Sequence, residues 1–422
     1  MPFGECRQLT NVDATKLVDP LVKWSGEPLR PQDAPSLVSK GLFLANSAPR
    51  GVVYLSIPLD DWTEPAEENA LTNLLQRSAD GTPVITPKAV DALVDALEGA
   101  SAPSLVLGPG ADTEVGFAAA IALAEQAHLP VWIAPGPPRA PFPTRHRCYQ
   151  GQLPSSAGAI ADVLAQYDTV ACFGAPVFRY HAPSTEDFLR PGTTVYAVTD
   201  DPDEAARAPF GQIYIGDPSD ALVRIAGTIA PSNRDWLPQR PITEADTSGP
   251  HFTVEAILDA IDRGTTDDTA FALEWTSADL VRDRLTISRA KSLFYPAAGA
   301  LGWGLPAAIG LKLGFPDRPV VALLGDGAMQ YTVAGLWTAA RYSVPVTFVV
   351  CTNRKYRALQ EFSRVLHVPE GDYLDISGLG ILDIARGYGL ETHHAETLED
   401  LTSYLRTGEE ATGPRLVEIF ER

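Results

Sequence analysis

Apolar residues in this chain fall into short continuous runs closed by glycine- or proline-bearing turns, alternating with longer stretches of helical repeat. Runs of that kind read as strands buried on both faces, the pattern of parallel sheets covered by helices. PSLVLGPGAD (103–112) is a strand and glycine turn, and EVGFAAAIALAEQAH (114–128) is the helix after it. The strands PVWIAPG (130–136), TVACFG (169–174) and TVYAVTDD (194–201) follow. The segment 230–250, rich in Pro, Ser and charge, reads as a surface linker. Beyond it come the helix FTVEAILDAIDR (252–263), the strand TAFALE (269–274) and a closing strand PRLVEIF (414–420). Residues 1 to about 80 offer one clear buried strand, GVVYLSIPLD (51–60). The expected fold class is α/β, in three blocks: 1–80, 81–245 and 246–422. The last two are expected to be complete doubly wound parallel-sheet domains, the first a partial one.

Inside the third block one strand–helix–strand unit carries chemistry. RPVVALLGDG (318–327) ends in Gly325-Asp326-Gly327, YTVAGLWTAARYS (331–343) has a helical apolar face, and VPVTFVVCTN (344–353) ends in Asn353. A βαβ unit makes its two strands parallel and neighbouring. Asp326 and Asn353, 27 positions apart, are then side by side at the carboxyl edge, where open α/β sheets bind ligands. A carboxylate and an amide oxygen are hard donors suited to Mg²⁺, and the glycines let a phosphate approach the backbone. Asp-Gly alone is a common turn dipeptide; the paired strand ends give it weight. The GPG at 108–110 reads as a plain turn, because Thr113 stands where a dinucleotide fingerprint needs its third glycine.

Composition adds exclusions. With 422 residues the chain has room for two or three domains and a sizeable core. A net charge of −20 argues against nucleic acid and anionic membrane surfaces as partners. The amino terminus lacks a signal peptide's apolar core, and no run reaches bilayer-spanning length, which points to the cytoplasm. The four cysteines are scattered without metal-ligand spacing and read as buried free thiols.

The GDG…Asn spacing resembles the diphosphate and Mg²⁺ motif of thiamine-diphosphate (ThDP) enzymes. LTNVDA (9–14), LVKWS (21–25), APFPTRH (140–146), GAPVFRYH (174–181), AARAPFG (205–211), LPAAIG (305–310) and LWTAARY (336–342) resemble the benzoylformate decarboxylase family, in order along almost the whole chain. The resemblance implies a pyrimidine-binding, a central structural and a diphosphate-binding domain. Residues 1–80 match only the latter part of the first, so its Glu, His and Ser find no counterpart here. A chain beginning at Met1 is expected to bind the diphosphate end while activating the cofactor poorly, since general acid–base catalysis of that kind contributes about 10²–10⁴-fold.

Residue by residue, the resemblance makes Asp326, Asn353 and the carbonyl of Lys355 the Mg²⁺ ligands. Gly325, Gly327, Ala328, Thr276 and Ser277 would meet the diphosphate. Gly299 would offer a carbonyl to the aminopyrimidine, Leu301 would wedge the cofactor into its bent form, and Tyr331 and Tyr356 complete that set. His181 matches an active-site histidine that moves protons, and imidazole titrates in the right range. Tyr295, Leu359 and Phe362 match the wall around the substrate's ring; a tyrosine at 295, where the family has Phe, favours a ring-hydroxylated substrate. In TNRKYRALQEF (352–362) the family's Asn-Asn-Gly is replaced, and Arg354 and Arg357 bring bulk and charge to the loop. The implied activity is non-oxidative decarboxylation of an aromatic 2-oxo acid by a homo-oligomer, dimer or tetramer. A carboligase of the acetolactate-synthase type and a non-catalytic remnant or partner subunit are the alternatives.

Overall fold

Strand formation follows the apolar runs. The computed structural model describes residues 13–178, 187–236, 238–241, 244–247, 252–275 and 278–421. A short first sheet pairs β1 (Trp24–Gly26) with β2 (Val53–Leu55) in parallel. The second sheet holds β3 (Pro103–Leu107), β4 (Val131–Ile133), β5 (Tyr149–Gln152), β6 (Thr169–Phe173), β7 (Thr194–Thr199) and β8 (Gln212–Ile215). Its order is β5-β4-β3-β6-β7-β8, parallel throughout. Every residue of the central β3 and β6 is buried. Helices Pro87–Gly99, Glu114–Ala127 and Pro218–Ala226 cover one face through Leu93, Leu97, Leu123 and Leu222, and helix Ala157–Leu164 covers the other through Ile160 and Leu164.

The glycines at 108 and 110 serve close packing. A Cβ on Gly108 would lie 2.5 Å from the Gly174 carbonyl oxygen, and one on Gly110 would lie 2.8 Å from the Gly174 Cα. The strand-end loops after β3 and β6 therefore pack directly on each other, and Pro109–Ala111 forms a single 3₁₀ turn.

The third sheet comprises β9 (Ala270–Glu274), β10 (Leu293–Phe294), β11 (Val320–Gly325), β12 (Thr347–Thr352), β13 (Glu391–His394) and β14 (Arg415–Phe420). They lie in the order β10-β9-β11-β12-β14-β13, again all parallel. Helix Gly335–Arg341 lies in the crossover from β11 to β12, shorter than the 13-residue segment read from sequence because 331–334 and 342–343 form turns. Five strands escaped the sequence reading: β1, β5, β8, β10 and β13. All five are sheet edges, and their partly exposed, polar or very short composition lacks the continuous apolar run of an inner strand.

The two large sheets share one apolar cluster that runs from Ile85 to Ile419. Residues 137–146 form the strap between them. Thr144 donates its backbone N–H to Ile287 O at 3.1 Å and its hydroxyl to Leu285 O at 2.6 Å. Arg282, only 2% exposed, donates to the carbonyls of Pro137 and Arg139 and to Gln152. The APFPTRH segment thus has a structural job at this junction. By contrast, among the described residues from 13 to 82 only Pro28 and Gly41 are buried, while Leu29, Leu59 and Trp62 face outward. Lys23 steadies that block by donating to the carbonyls of Leu44, Ser47 and Pro49 at the end of helix Ala34–Asn46. Among the described residues no helix is long and apolar enough to cross a membrane.

Asp112 adds a charged tie across the same junction. Its Oδ1 accepts the Lys291 N–H at 2.9 Å, and its Oδ2 lies 3.6 Å from the Arg139 guanidinium. Burial pushes its carboxyl up to about 6, against the partial pull of Lys291 and Arg139. Between the ordinary carboxylate range and pH 6 the folded chain holds a proton that the unfolded chain has released. Stability from this group is therefore full at low pH and lost as pH rises through about 6. Relative to Asp112→Asn, the wild type is expected to lose up to about 3 kcal/mol between pH 4 and pH 6.5, measured by urea unfolding. Parallel pH curves for the two chains would exclude this titration.

Candidate active site

Four adjacent strands, β9, β11, β12 and β14, each deliver one residue immediately past their last position: Trp275, Asp326, Asn353 and Glu421. Parallel pairing puts all four ends on one edge, with Leu324 opposite Glu274, Gly325 opposite Cys351 and Thr352 opposite Phe420. The strand–helix–strand reading placed Asp326 beside Asn353, and the geometry does so.

Asp326 is 4% exposed. Its Oδ1 accepts the N–H of Gly327 at 2.8 Å, and its Oδ2 accepts those of Asn353 at 3.2 Å and Arg354 at 2.7 Å. Burial pushes its carboxyl above the usual range, and the three N–H groups hold it down. Asn353 donates from Nδ2 to Glu421 Oε1 at 3.0 Å and accepts the Lys355 N–H on Oδ1 at 3.2 Å. Glu421 also accepts the Trp275 indole N–H at 2.8 Å and faces Arg357 at 2.5 Å. Burial raises the Glu421 carboxyl too, opposed by Asn353, Arg357 and Trp275.

These groups open into a cleft of about 310 Å³. Asp326, Asn353 and Lys355 border it, as do Gly325, Gly327 and Ala328. Tyr331 and Tyr356 lie on it, and so do Gly299, Leu301, Tyr295 and Leu359. Gly327 is required by Tyr356, whose ring would lie 2.6 Å from an added Cβ. Leu301 is half exposed, so it is not a core residue; it projects from a turn in which Gly299 and Gly302 have φ of 66° and 92°. Phe362, one turn beyond Leu359 on helix Arg357–Val365, is 62% exposed and stands outside the cleft. Thr276, Ser277 and His181 lie outside the described residues.

The donor chemistry fits a hard cation. Among the described residues Asp326 meets three backbone N–H groups and no side-chain cation, so a buried negative charge is left to be neutralised. No three His, Cys, Asp or Glu side chains among the described residues converge on one point. A cation here would thus be held by mixed carboxylate, amide and carbonyl oxygens, the set preferred by Mg²⁺.

Residues 282–419 match the family described as "Thiamine pyrophosphate enzyme, C-terminal TPP binding domain", and residues 90–225 match its central domain. Benzoylformate decarboxylase of Pseudomonas aeruginosa is 41% identical over 421 residues, which covers 99% of this chain and 79% of that protein. The chain belongs to the benzoylformate decarboxylase family of ThDP enzymes. The solved structure of the Rhodococcus jostii RHA1 ThDP-dependent 4-hydroxybenzoylformate decarboxylase superposes with a TM-score of 0.95 at 37% identity, covering all of this chain and 80% of that one. Benzoylformate decarboxylase from Polynucleobacter necessarius gives 0.92 at 31% identity, covering 98% and 78%.

Against that family background, three residues of this site were missed in the sequence. Glu274, 3% exposed, accepts the N–H groups of Gly302 and Gly304 on its two carboxylate oxygens and so fixes the turn that carries Leu301. Trp275 and Glu421 hold the far side of Asn353. None belongs to a local motif; each meets partners 28 or more positions away, so only the folded chain reveals them. In the loop after β12, Arg354 adopts the left-handed φ of 61° that a glycine would take without cost, with its guanidinium 4.7 Å from the Phe420 ring.

Glu274→Gln leaves one of two facing N–H groups without an acceptor, and it is expected to cost about 1–3 kcal/mol. Thermal unfolding and limited proteolysis within residues 299–304 read this out. An unchanged midpoint with no new cleavage would show that the turn is held some other way.

Proposed function

We propose that this chain decarboxylates an aromatic 2-oxo acid of the benzoylformate type to an aldehyde and CO₂, without oxidation, using ThDP and Mg²⁺. The observation that carries the proposal is the Asp326–Asn353 pair at neighbouring strand ends, at the floor of a cleft whose walls are largely apolar. Bound there, the cofactor supplies an electron sink for cleavage of the carbon–carbon bond. Asp326, Asn353 and the Lys355 carbonyl would hold the cation, which would neutralise the diphosphate charge. Gly325, Gly327 and Ala328 would line its path, although the Gly327 N–H is already directed at Asp326 Oδ1, and Thr276 and Ser277 are assigned to the same group. Leu301 supports the cofactor's fold, Gly299 takes the aminopyrimidine side, and Tyr331 and Tyr356 pack about it. His181 is assigned proton transfer through its ring nitrogens.

Tyr295 and Leu359 form the ring-binding wall and exclude water, with Phe362 at the margin. The relative from Rhodococcus jostii acts on a 4-hydroxylated ring, which supports the same preference here through the Tyr295 hydroxyl. Leu301, Tyr331, Leu359 and Phe362 are all exposed around the mouth, and a second copy of the chain would cover them, so the working form is a homo-oligomer. The buried thiols Cys148, Cys172 and Cys351 suit a reducing cytoplasm.

Calorimetric titration with ThDP is expected to show uptake that requires Mg²⁺ and is weakened more than about 100-fold in Asp326→Ala, since even outer-shell partners of a metal are worth 10–100-fold. Uptake that survives the substitution would remove the basis of the proposal. Tyr295→Phe is expected to shift the ratio of kcat/KM values, 4-hydroxybenzoylformate over benzoylformate, down by roughly 2- to 10-fold, the worth of one hydrogen bond. An unchanged ratio would sink the role given to the hydroxyl.

A further inference from the structure

Asn353 can serve a cation only if its amide oxygen, and not its NH₂, faces the cleft. Rotation by half a turn about the last side-chain bond would exchange the two groups, opposed on one side by the Lys355 N–H that Oδ1 accepts at 3.2 Å. The neighbour behind Asn353 opposes it on the other. Glu421 Oε1 lies 3.0 Å from Asn353 Nδ2 and 2.5 Å from the Arg357 guanidinium. An oxygen that faces a guanidinium is an acceptor, so only the NH₂ of Asn353 can meet it. Glu421 Oε2 is fixed in turn by the Trp275 indole, which can only donate. The Glu421 side chain is fully buried, leaving the carboxylate no water to exchange with.

From this geometry we infer that Glu421 is a positioning residue for the cation site: it sets the Asn353 amide with its oxygen toward the cleft and draws the Arg357 charge away from it. The inference rests on the reading of Asp326 and Asn353 as cation ligands. Arg357 borders the cleft and departs from the family's pattern in the loop. Unopposed, its charge would stand beside a site meant for a cation. The ion pair turns that charge toward β14. Trp275 locks the carboxylate from the opposite flank, so the network spans the four strands β9 to β14 that form the site's floor.

The test is calorimetric titration of the full chain with ThDP, once with saturating Mg²⁺ and once with EDTA. The quantity read is the ratio of the two affinities. Glu421→Gln keeps the shape of the side chain but permits the wrong amide pairing, and it is expected to reduce that ratio 10- to 100-fold. Loss of structure alone would weaken both affinities together and leave the ratio unchanged, an outcome that would overturn the inference. If Glu421→Gln does not fold, the neutral pair Glu421→Gln with Arg357→Gln removes the buried charge. It is expected to fold and to show the same loss, and a wild-type ratio in that double variant would equally overturn the inference. A wild-type chain whose ThDP uptake ignores Mg²⁺ would instead overturn the reading of the site itself and the inference with it.

Discussion

The site depends on one buried charge. Asp326 sits at the end of β11, almost without water, and both of its oxygens are engaged by backbone N–H groups from its own turn and from the loop after β12. Hydrogen bonds to a charged group contribute about 1.5–3 kcal/mol each, enough to tie the turn after β11 to the loop after β12. The same carboxylate pins the start of helix Asp326–Gln330 to the Asn353–Arg354 backbone, so two oxygen donors meet at a set distance before any ligand arrives. Preorganisation of this kind lowers the cost of binding, because the loops do not have to be ordered at that moment. The price is a desolvated negative charge that only a cation can relieve, which is why electrostatics, rather than shape alone, makes this edge of the sheet a binding site.

The rest of the molecule serves to hold that edge still. The strand ends are held because β9 and β12 are buried throughout, β11 and β14 are buried up to their last residue, and all four are paired on both sides. The Tyr295 wall of the cleft is held differently. Tyr295 is tied back to the central domain through its N–H to Pro138 O, so one wall of the cleft depends on the junction between the two large sheets. Thr144, Arg282 and Asp112 all work on that junction. The segment 140–146, which carries part of the family resemblance, lies on that same junction.

What could be read in the sequence follows from the same physics. Inner strands announce themselves because both faces are buried and every position must be apolar; β3, β6, β11 and β12 were plain. Edge strands have one unpaired side; β1, β5, β8 and β13 are partly exposed and the buried β10 is only two residues long, so none carries a comparable signal. The site divides along a similar line. Asp326 and Asn353 could be placed because a βαβ unit fixes the relation of its two strand ends within one stretch of sequence. Glu274 and Glu421 could not, because their roles arise from hydrogen bonds between separate strands, and a lone glutamate at the end of an apolar run has no distinguishing spacing.

The loop at 352–357 shows how such long-range pairs change what a local departure means. Read alone, Arg354 and Arg357 look like damage, since they put bulk and charge where glycine gives freedom. In the fold Arg354 takes the left-handed conformation, at a cost of about 1–2 kcal/mol for a residue with a Cβ, while its guanidinium lies over Phe420, a contact worth about 0.5–1 kcal/mol at a partly exposed site. Arg357 meets Glu421, a partner 64 positions away at the last strand's end. Both charges thus find their counterparts on β14 or just beyond it, not in the cleft. A buried pair of that kind is costly to break from either side but adds little as a unit, so the loop and the end of β14 are constrained to vary together. A substitution that looks disruptive along the chain is then one half of an arrangement whose other half is visible only across the sheet.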